Sequence, residues 1–413
     1  MLTSSLYFDA PVSPAELKAD QEALRAEWQN DKTGYYALPD SQEALLDALE
    51  SYQLRVQGYE SIAVIGIGGS SLGAKAAERM LRHLPHRNEK KLLFLENGDP
   101  IELTAALKSI NPQKTLFFVI SKSGGTIETT SIFKLVLSCL GKCVVDKSCA
   151  DQVAVITDEG SPLDKLGADY GFTRFHLPKS VGGRFSVLSA VGLVPLKLAG
   201  YDISALLEGA RITRDEFFTG DPLHLSAKAR FYARTSGTQP INALFAYANA
   251  FEEFTKWYVQ LWGESLGKLD ADKKRVGLTP IGLIGSVDQH SFLQLIMEGP
   301  ADKSVTFIKV KDFDNTLNIP KITLPGLEKN DFVNGCTFEK LINAQADATL
   351  EALKSQKVPC DELVVDRLDE WHLGALFMAY ELLTSLAGHA LKVNTYDQPG
   401  VELGKTILVK NFK

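Results

Sequence analysis

Two short segments carry enough hydroxyls, glycines and helix starts to hold an anion. Ser121-Lys122-Ser123-Gly124-Gly125-Thr126 follows the apolar run Leu116 to Ile120 and precedes the helix-like stretch Thr126 to Leu140. Backbone N–H groups at a helix N-terminus, flanked by hydroxyls, match the oxygens of a phosphate. An N-cap uses one Ser or Thr. Three hydroxyls within this loop exceed that need, so phosphate binding is the favoured reading. The second segment, Gly66-Ile67-Gly68-Gly69-Ser70-Ser71-Leu72-Gly73, also joins a strand-like run to a helix. Its third fingerprint position holds Ser71 where a dinucleotide loop needs glycine, which argues against a nicotinamide site. Its amides and hydroxyls suit an anion or sugar hydroxyls instead. GxxxxGK[ST] is absent, so nucleotide hydrolysis is not expected.

The elements that must position these loops alternate along the chain. Ile62 to Ile65, Leu92 to Leu95, Leu116 to Ile120, Val153 to Ile156 and Arg174 to Leu177 read as strands in the first half. Helical patterns separate them, as at Leu72 to His83. The second half repeats the theme with Ile241 to Ala246, Pro280 to Ile284, Val305 to Val310 and Leu363 to Val365. Its helical stretches include Phe251 to Leu266, His290 to Met297 and Phe332 to Leu353. Short apolar runs alternating with helices predict an α/β protein with mostly parallel sheets, in two doubly wound αβα units joined near Gly200 to Pro222. The boundaries read as an N-terminal helical segment (1–50), a first domain (51–205), a second domain (206–390) and a C-terminal arm (391–413).

The chain has 413 residues, 45% hydrophobic and 23% charged, with a net charge of −7. These values fit a globular α/β protein and exclude disordered and collagen-like classes. No basic stripe stands out, so a nucleic-acid partner is not expected. The cysteines are Cys139, Cys143, Cys149, Cys336 and Cys360. Their odd number and the absence of a secretory pattern at the N-terminus suggest reduced thiols and a cytoplasmic location. Cys139 and Cys143 could share a helix face, but no second pair follows at zinc-like spacing, so no metal is expected. His372 to Leu391 is strongly apolar yet carries Glu381, His372 and His389, as a buried core helix does rather than a membrane span.

Further blocks extend the pattern. GIGGSSLG and SKSGGTIET resemble the two sugar-phosphate loops of the sugar isomerase superfamily. Gly182-Gly183-Arg184-Phe185-Ser186, Gln260-Leu261-Trp262-Gly263-Glu264-Ser265-Leu266-Gly267-Lys268, Gln289-His290-Ser291-Phe292 and Asp397-Gln398-Pro399-Gly400-Val401-Glu402-Leu403-Gly404-Lys405 then follow. They resemble, in order, the arginine, glutamate, histidine and C-terminal lysine segments of the phosphoglucose isomerase family. Two departures are visible: Ser71 stands where some members carry an acid, and Pro399 where many carry tryptophan.

The resemblance implies reversible isomerisation of glucose 6-phosphate and fructose 6-phosphate, in glycolysis and gluconeogenesis, through ring opening and an enediolate. It makes Glu264 the base that moves a proton between C1 and C2. On spacing alone, Glu264 would be a surface residue paired with Lys268. It sets Arg184 beside the enediolate oxygens, a role that its uncrowded GGR context also favours. His290, whose imidazole titrates near neutrality, and Lys405 become ring-opening groups. Ser121, Lys122, Ser123, Thr126 and Gln398 hold the substrate, with Gly69 and Ser70 beside its reacting end. In the family the histidine comes from a neighbouring subunit, which implies a homodimer sharing His290, and no metal or organic cofactor. Three rival readings are an isomerase that also accepts mannose 6-phosphate, a non-catalytic sugar-phosphate sensor, and an amino-sugar phosphate synthase domain.

Overall fold

The computed structural model describes residues 2–87, 90–142, 144–220 and 224–412, with Glu402 described by its backbone alone. Twelve strands are present among these residues: β1 (Leu2–Leu6), β2 (Ser61–Ile65), β3 (Lys91–Leu95), β4 (Thr115–Ile120), β5 (Val153–Asp158), β6 (Thr173–Leu177), β7 (Ile241–Ala246), β8 (Lys268–Leu269), β9 (Arg275–Val276), β10 (Thr279–Ile284), β11 (Lys303–Asp312) and β12 (Cys360–Arg367). Ten of them form two five-stranded sheets, ordered β3-β2-β4-β5-β6 and β1-β12-β11-β7-β10. The first sheet is parallel throughout. In the second only β1 runs antiparallel.

Every residue of β2 and β4 is buried. Their unbroken SIAVI and TLFFVI runs are what a strand covered by helices on both faces requires. Helix starts follow local chemistry. Ser13 and Glu16 form a reciprocal capping box before Pro14–Gln29, and Asp99, Ser161 and Thr337 cap the helices that follow them. The apolar helix Glu370–Ala390 is buried along nearly its whole length and packs against helix Ile203–Thr219. Among the described residues no helix is long and apolar enough to cross a membrane.

One element departs from the sequence expectation. Leu2–Leu6, expected within a polar helical segment, is an edge strand on β12, with Leu2 opposite Val365. Five residues are too few for their alternation to stand out, and the distant partner decides. The junction expected near Gly200 to Pro222 is mostly helix, Ile203–Thr219, docked on the core helix; Pro222 lies outside the described residues. So does Cys143, the expected helix-face companion of Cys139, which itself ends helix Ile127–Cys139.

What the topology does for function is clearest in the first sheet. The chain runs from β2 to β3, then crosses back to β4 on the other side of β2. The loops after β2 and β4 therefore leave adjacent strands beside the point of reversal, where open α/β sheets take their ligands.

Candidate active site

The two glycine loops keep different company. In the loop after β4, Ser121 is buried and its hydroxyl lies 2.9 Å from that of Thr126. Thr126 occupies the N-cap position of helix Ile127–Cys139 but makes no side-chain hydrogen bond to the helix. The hydroxyls here thus do not serve as a cap. They face each other at the helix start, where the N-terminal amides carry partial positive charge. Ser123 is exposed. Thr157 donates to the Ser121 carbonyl at 2.6 Å and holds the loop from below. The Lys122 ammonium is engaged by Asp158 at 3.0 Å and by the Lys179 carbonyl, so it braces the loop.

Gly69 shows why the loop after β2 needs glycine. A Cβ there would lie 2.3 Å from the Gly183 carbonyl carbon and oxygen. Backbone meets backbone at this point, which only glycine allows. The contact brings the turn Gly68–Ser70, with Gly69 and Ser70, against the turn Gly183–Phe185. Ser186 then donates to the Gly183 carbonyl at 2.6 Å. Ser71, at the family's acidic position, gives its hydroxyl to Glu96 at 2.6 Å.

Arg184 is buried, at 4% exposure. Its Nε donates to Ser265 Oγ at 2.7 Å and its Nη2 to the Thr395 and Asp397 carbonyls at 2.5 and 3.2 Å. Its Nη1 lies 3.7 Å from Glu264 Oε2. Burial pulls the guanidinium below its ordinary pKa, and the charges of Glu264 and Asp397 oppose that pull. Arginine stays protonated regardless, so the result is a fixed, desolvated cation beside one carboxylate.

Glu264 lies near the C-terminal end of helix Glu252–Leu266 and is 31% exposed. It opens onto a cleft of about 870 Å³ lined by the helix end, the β8–β9 hairpin and residues of 394–401, including Gln398. The surface-pair alternative is not what the structure contains. The helix stops at Leu266, and Lys268 turns away to Asp397, bonding its carboxylate at 2.9 Å and its carbonyl. Glu264 is left with Arg184 and with Gln260, whose Nε2 donates to Glu264 Oε1 at 3.3 Å.

Gln260, Ser265 and Asp397 were not singled out from the sequence, and Lys268 only as a surface partner of Glu264. Gln260 had a legible signal, since it precedes Glu264 by one helical turn on the same face. It also abuts Gly68, where a Cβ would sit 2.8 Å from its amide nitrogen. Gln260 therefore connects the first loop to the carboxylate.

His290 and Lys405 stand apart from this cluster. His290 ends the turn Val287–His290 beyond β10, and Lys405 lies on helix Glu402–Asn411; both are exposed and neither lines the Glu264 cleft. Among the described residues no cluster of histidine, cysteine and carboxylate could hold a metal ion.

Two doubly wound, mostly parallel sheets, an anion-ready helix start and a carboxylate beside a buried arginine define the class of sugar-isomerase-type α/β proteins. The sequence profile of phosphoglucose isomerase matches residues 48–412, and the chain belongs to the phosphoglucose isomerase family of aldose–ketose isomerases. A glucose-6-phosphate isomerase of Campylobacter jejuni is 41% identical over 409 residues, covering 99% of this chain and 98% of its own. A solved structure of a hypothetical protein from Thermus thermophilus superposes with a TM-score of 0.88 at 32% identity, covering 96% of this chain and 94% of the other. A glucose-6-phosphate isomerase from Chlamydia trachomatis shares the fold with a TM-score of 0.81 at 24% identity, covering 100% of this chain and 88% of its own.

Proposed function

We propose that this chain interconverts glucose 6-phosphate and fructose 6-phosphate, with Glu264 carrying the proton between C1 and C2. The observation that carries the reading is the Glu264 carboxylate, open to the cleft yet 3.7 Å from the buried Arg184 cation. A base must reach both carbons from one face, and a carboxylate can take a proton and return it without covalent chemistry. As the proton leaves, negative charge develops on the C1 and C2 oxygens. A cation already fixed by three protein acceptors stabilises that charge without reorganising. Lys268 is committed to Asp397 and does not quench the base.

The phosphate sits at Ser121, Ser123 and Thr126, with Lys122 bracing the loop and Gly69 and Ser70 bordering the sugar. Gln398 reaches the substrate from the cleft wall. His290 and Lys405 open the ring, and His290 enters the site of a second copy, so the working unit is a homodimer. The exposed apolar side chains Ile322, Leu324, Leu327 and Phe332 support a protein partner on the 322–332 segment. On this reading residues 51–205 bind phosphate, 206–390 supply Glu264 and His290, and 391–413 bring Lys405. The setting is cytoplasmic sugar metabolism, in glycolysis and gluconeogenesis.

The test is a coupled assay that supplies fructose 6-phosphate and follows glucose 6-phosphate, with wild type beside Glu264→Gln. Wild-type turnover that collapses in a variant still binding the sugar phosphate is the expected result. A wild type that binds but does not turn over would overturn the proposal.

A further inference from the structure

The second sheet has a crevice of its own. The chain order reverses between β7 and β11, and the segments beyond β7, β10, β11 and β12 all border one hollow at the carboxyl edge. That is the position where an open α/β sheet takes a ligand. The hollow encloses about 640 Å³, within the usual range for a small-molecule site, and shares no lining residue with the Glu264 cleft. It also lies between the two sheets' domains, because the end of helix Leu72–Leu81 and the residues after it form one wall.

The lining is chemically mixed. Phe313, Phe338 and Ile342 line the hollow together with Arg82 and His83. Two other charges at the rim are committed. Arg79 is paired with Glu252 at 3.1 Å, and Glu339 accepts the Phe313 N–H at 2.8 Å. The Arg82 side chain makes no ion pair or hydrogen bond among the described residues, so its charge is available in a hollow that two aromatic rings also line. A guanidinium recognises phosphate or carboxylate oxygens with two parallel hydrogen bonds, and the apolar wall accepts a flat ring.

We propose that this crevice is a second binding site, for a small anion joined to a flat apolar ring, the chemistry of an aryl phosphate or a nucleotide. The site is placed to regulate. Ser286, in its lining, directly precedes the turn that ends at His290. Glu252, which holds Arg79, starts the helix that carries Glu264. An occupant therefore touches the approach to both groups without entering the catalytic cleft.

The experiment is calorimetric titration of the full chain with phenyl phosphate and with AMP, in saturating fructose 6-phosphate. The expected result is one site per chain for at least one of them, which the sugar phosphate does not displace. Arg82→Ala weakens that binding about tenfold, the loss of one charge-assisted contact. Ile342→Trp fills the hollow and abolishes it. Both variants keep wild-type turnover when no aromatic anion is added. Four results overturn the proposal: no binding of either probe, displacement by fructose 6-phosphate, binding unchanged in both variants, or a variant that shifts the sedimentation coefficient and so marks a protein contact. Wild-type turnover in the coupled assay judges the isomerase reading separately.

Discussion

In the proposed mechanism Arg184 with Glu264 and His290 with Lys405 are two halves of one chemistry, and the chain holds them in opposite ways. The first pair is built inward: Arg184 is 4% exposed and spends its donors on Ser265 and on two carbonyls from a distant stretch of chain. The second pair stands on surface elements, a turn beyond β10 and an exposed helix. Stabilising a developing charge requires donors that are fixed and dry before the reaction. Opening a ring requires groups that can approach and leave, and a second chain can supply them. On that proposal one chain completes the proton-transfer half and presents the other half outward.

Breaking the inward half should cost the most. Glu264→Gln is expected to lower kcat by about a thousandfold or more, with the KM for fructose 6-phosphate within a few-fold. A KM that rises as steeply as kcat falls would make Glu264 a structural residue. Arg184→Met is next, at about a hundredfold in kcat, since one preorganised charge contact is lost. It should also lower Tm by a few degrees, because Ser265 and the Thr395 and Asp397 carbonyls lose their buried donor. An unchanged kcat would remove Arg184 from the transition state.

The outward half is sharpened by mixing chains. His290→Ala should damage turnover of cyclic substrate more than of an open-chain analogue. Refolding His290→Ala together with Glu264→Gln should recover about a quarter of wild-type activity, because half of the dimers carry one intact site. No recovery would place both groups in the same chain's site. Ser123→Ala, one hydroxyl of the phosphate loop, is expected to raise KM several-fold with kcat nearly unchanged; an unaltered KM would sink the cradle.

The smallest effect concerns the scaffold of that loop. Asp164 has its carboxyl pulled down to about 2, chiefly by its hydrogen bond with His176, with further help from the Gly160 amide and Arg174. A depressed folded-state value contributes stability that is whole above the unfolded carboxylate range, near pH 4, and is lost as pH falls toward 2. Thermal melts of Asp164→Asn against wild type should therefore differ at pH 7 and converge near pH 2. A difference that persists undiminished at low pH would mean that the charge plays no part.

Most of the fold was legible because buried parallel strands write themselves as unbroken apolar runs, as in TLFFVI before SKSGGT. The loops were legible because glycines and hydroxyls cluster where a strand hands over to a helix. β1 was not, since LTSSL is a strand only by virtue of β12, far away in sequence. Within the site, Glu264, Arg184 and the serine loop were marked by their motifs. The pairing of their supports was not: Lys268 and Asp397 each stand in a quoted block but lie 129 positions apart, and nothing local announces that they meet. Spacing even suggested the wrong partner for Glu264, because the helix ends two residues before Lys268.

The antiparallel edge strand β1 also imposes an order on synthesis. All five strands of the first sheet lie between residues 61 and 177, so that sheet can close while the ribosome is still making the rest. β1 is made before any of them, yet its partner β12 does not appear until residues 360–367. β1 must therefore wait, unpaired, while a whole domain assembles beside it. In nascent chains stalled before Cys360, Leu2–Leu6 should be cut by protease while residues 61–177 resist.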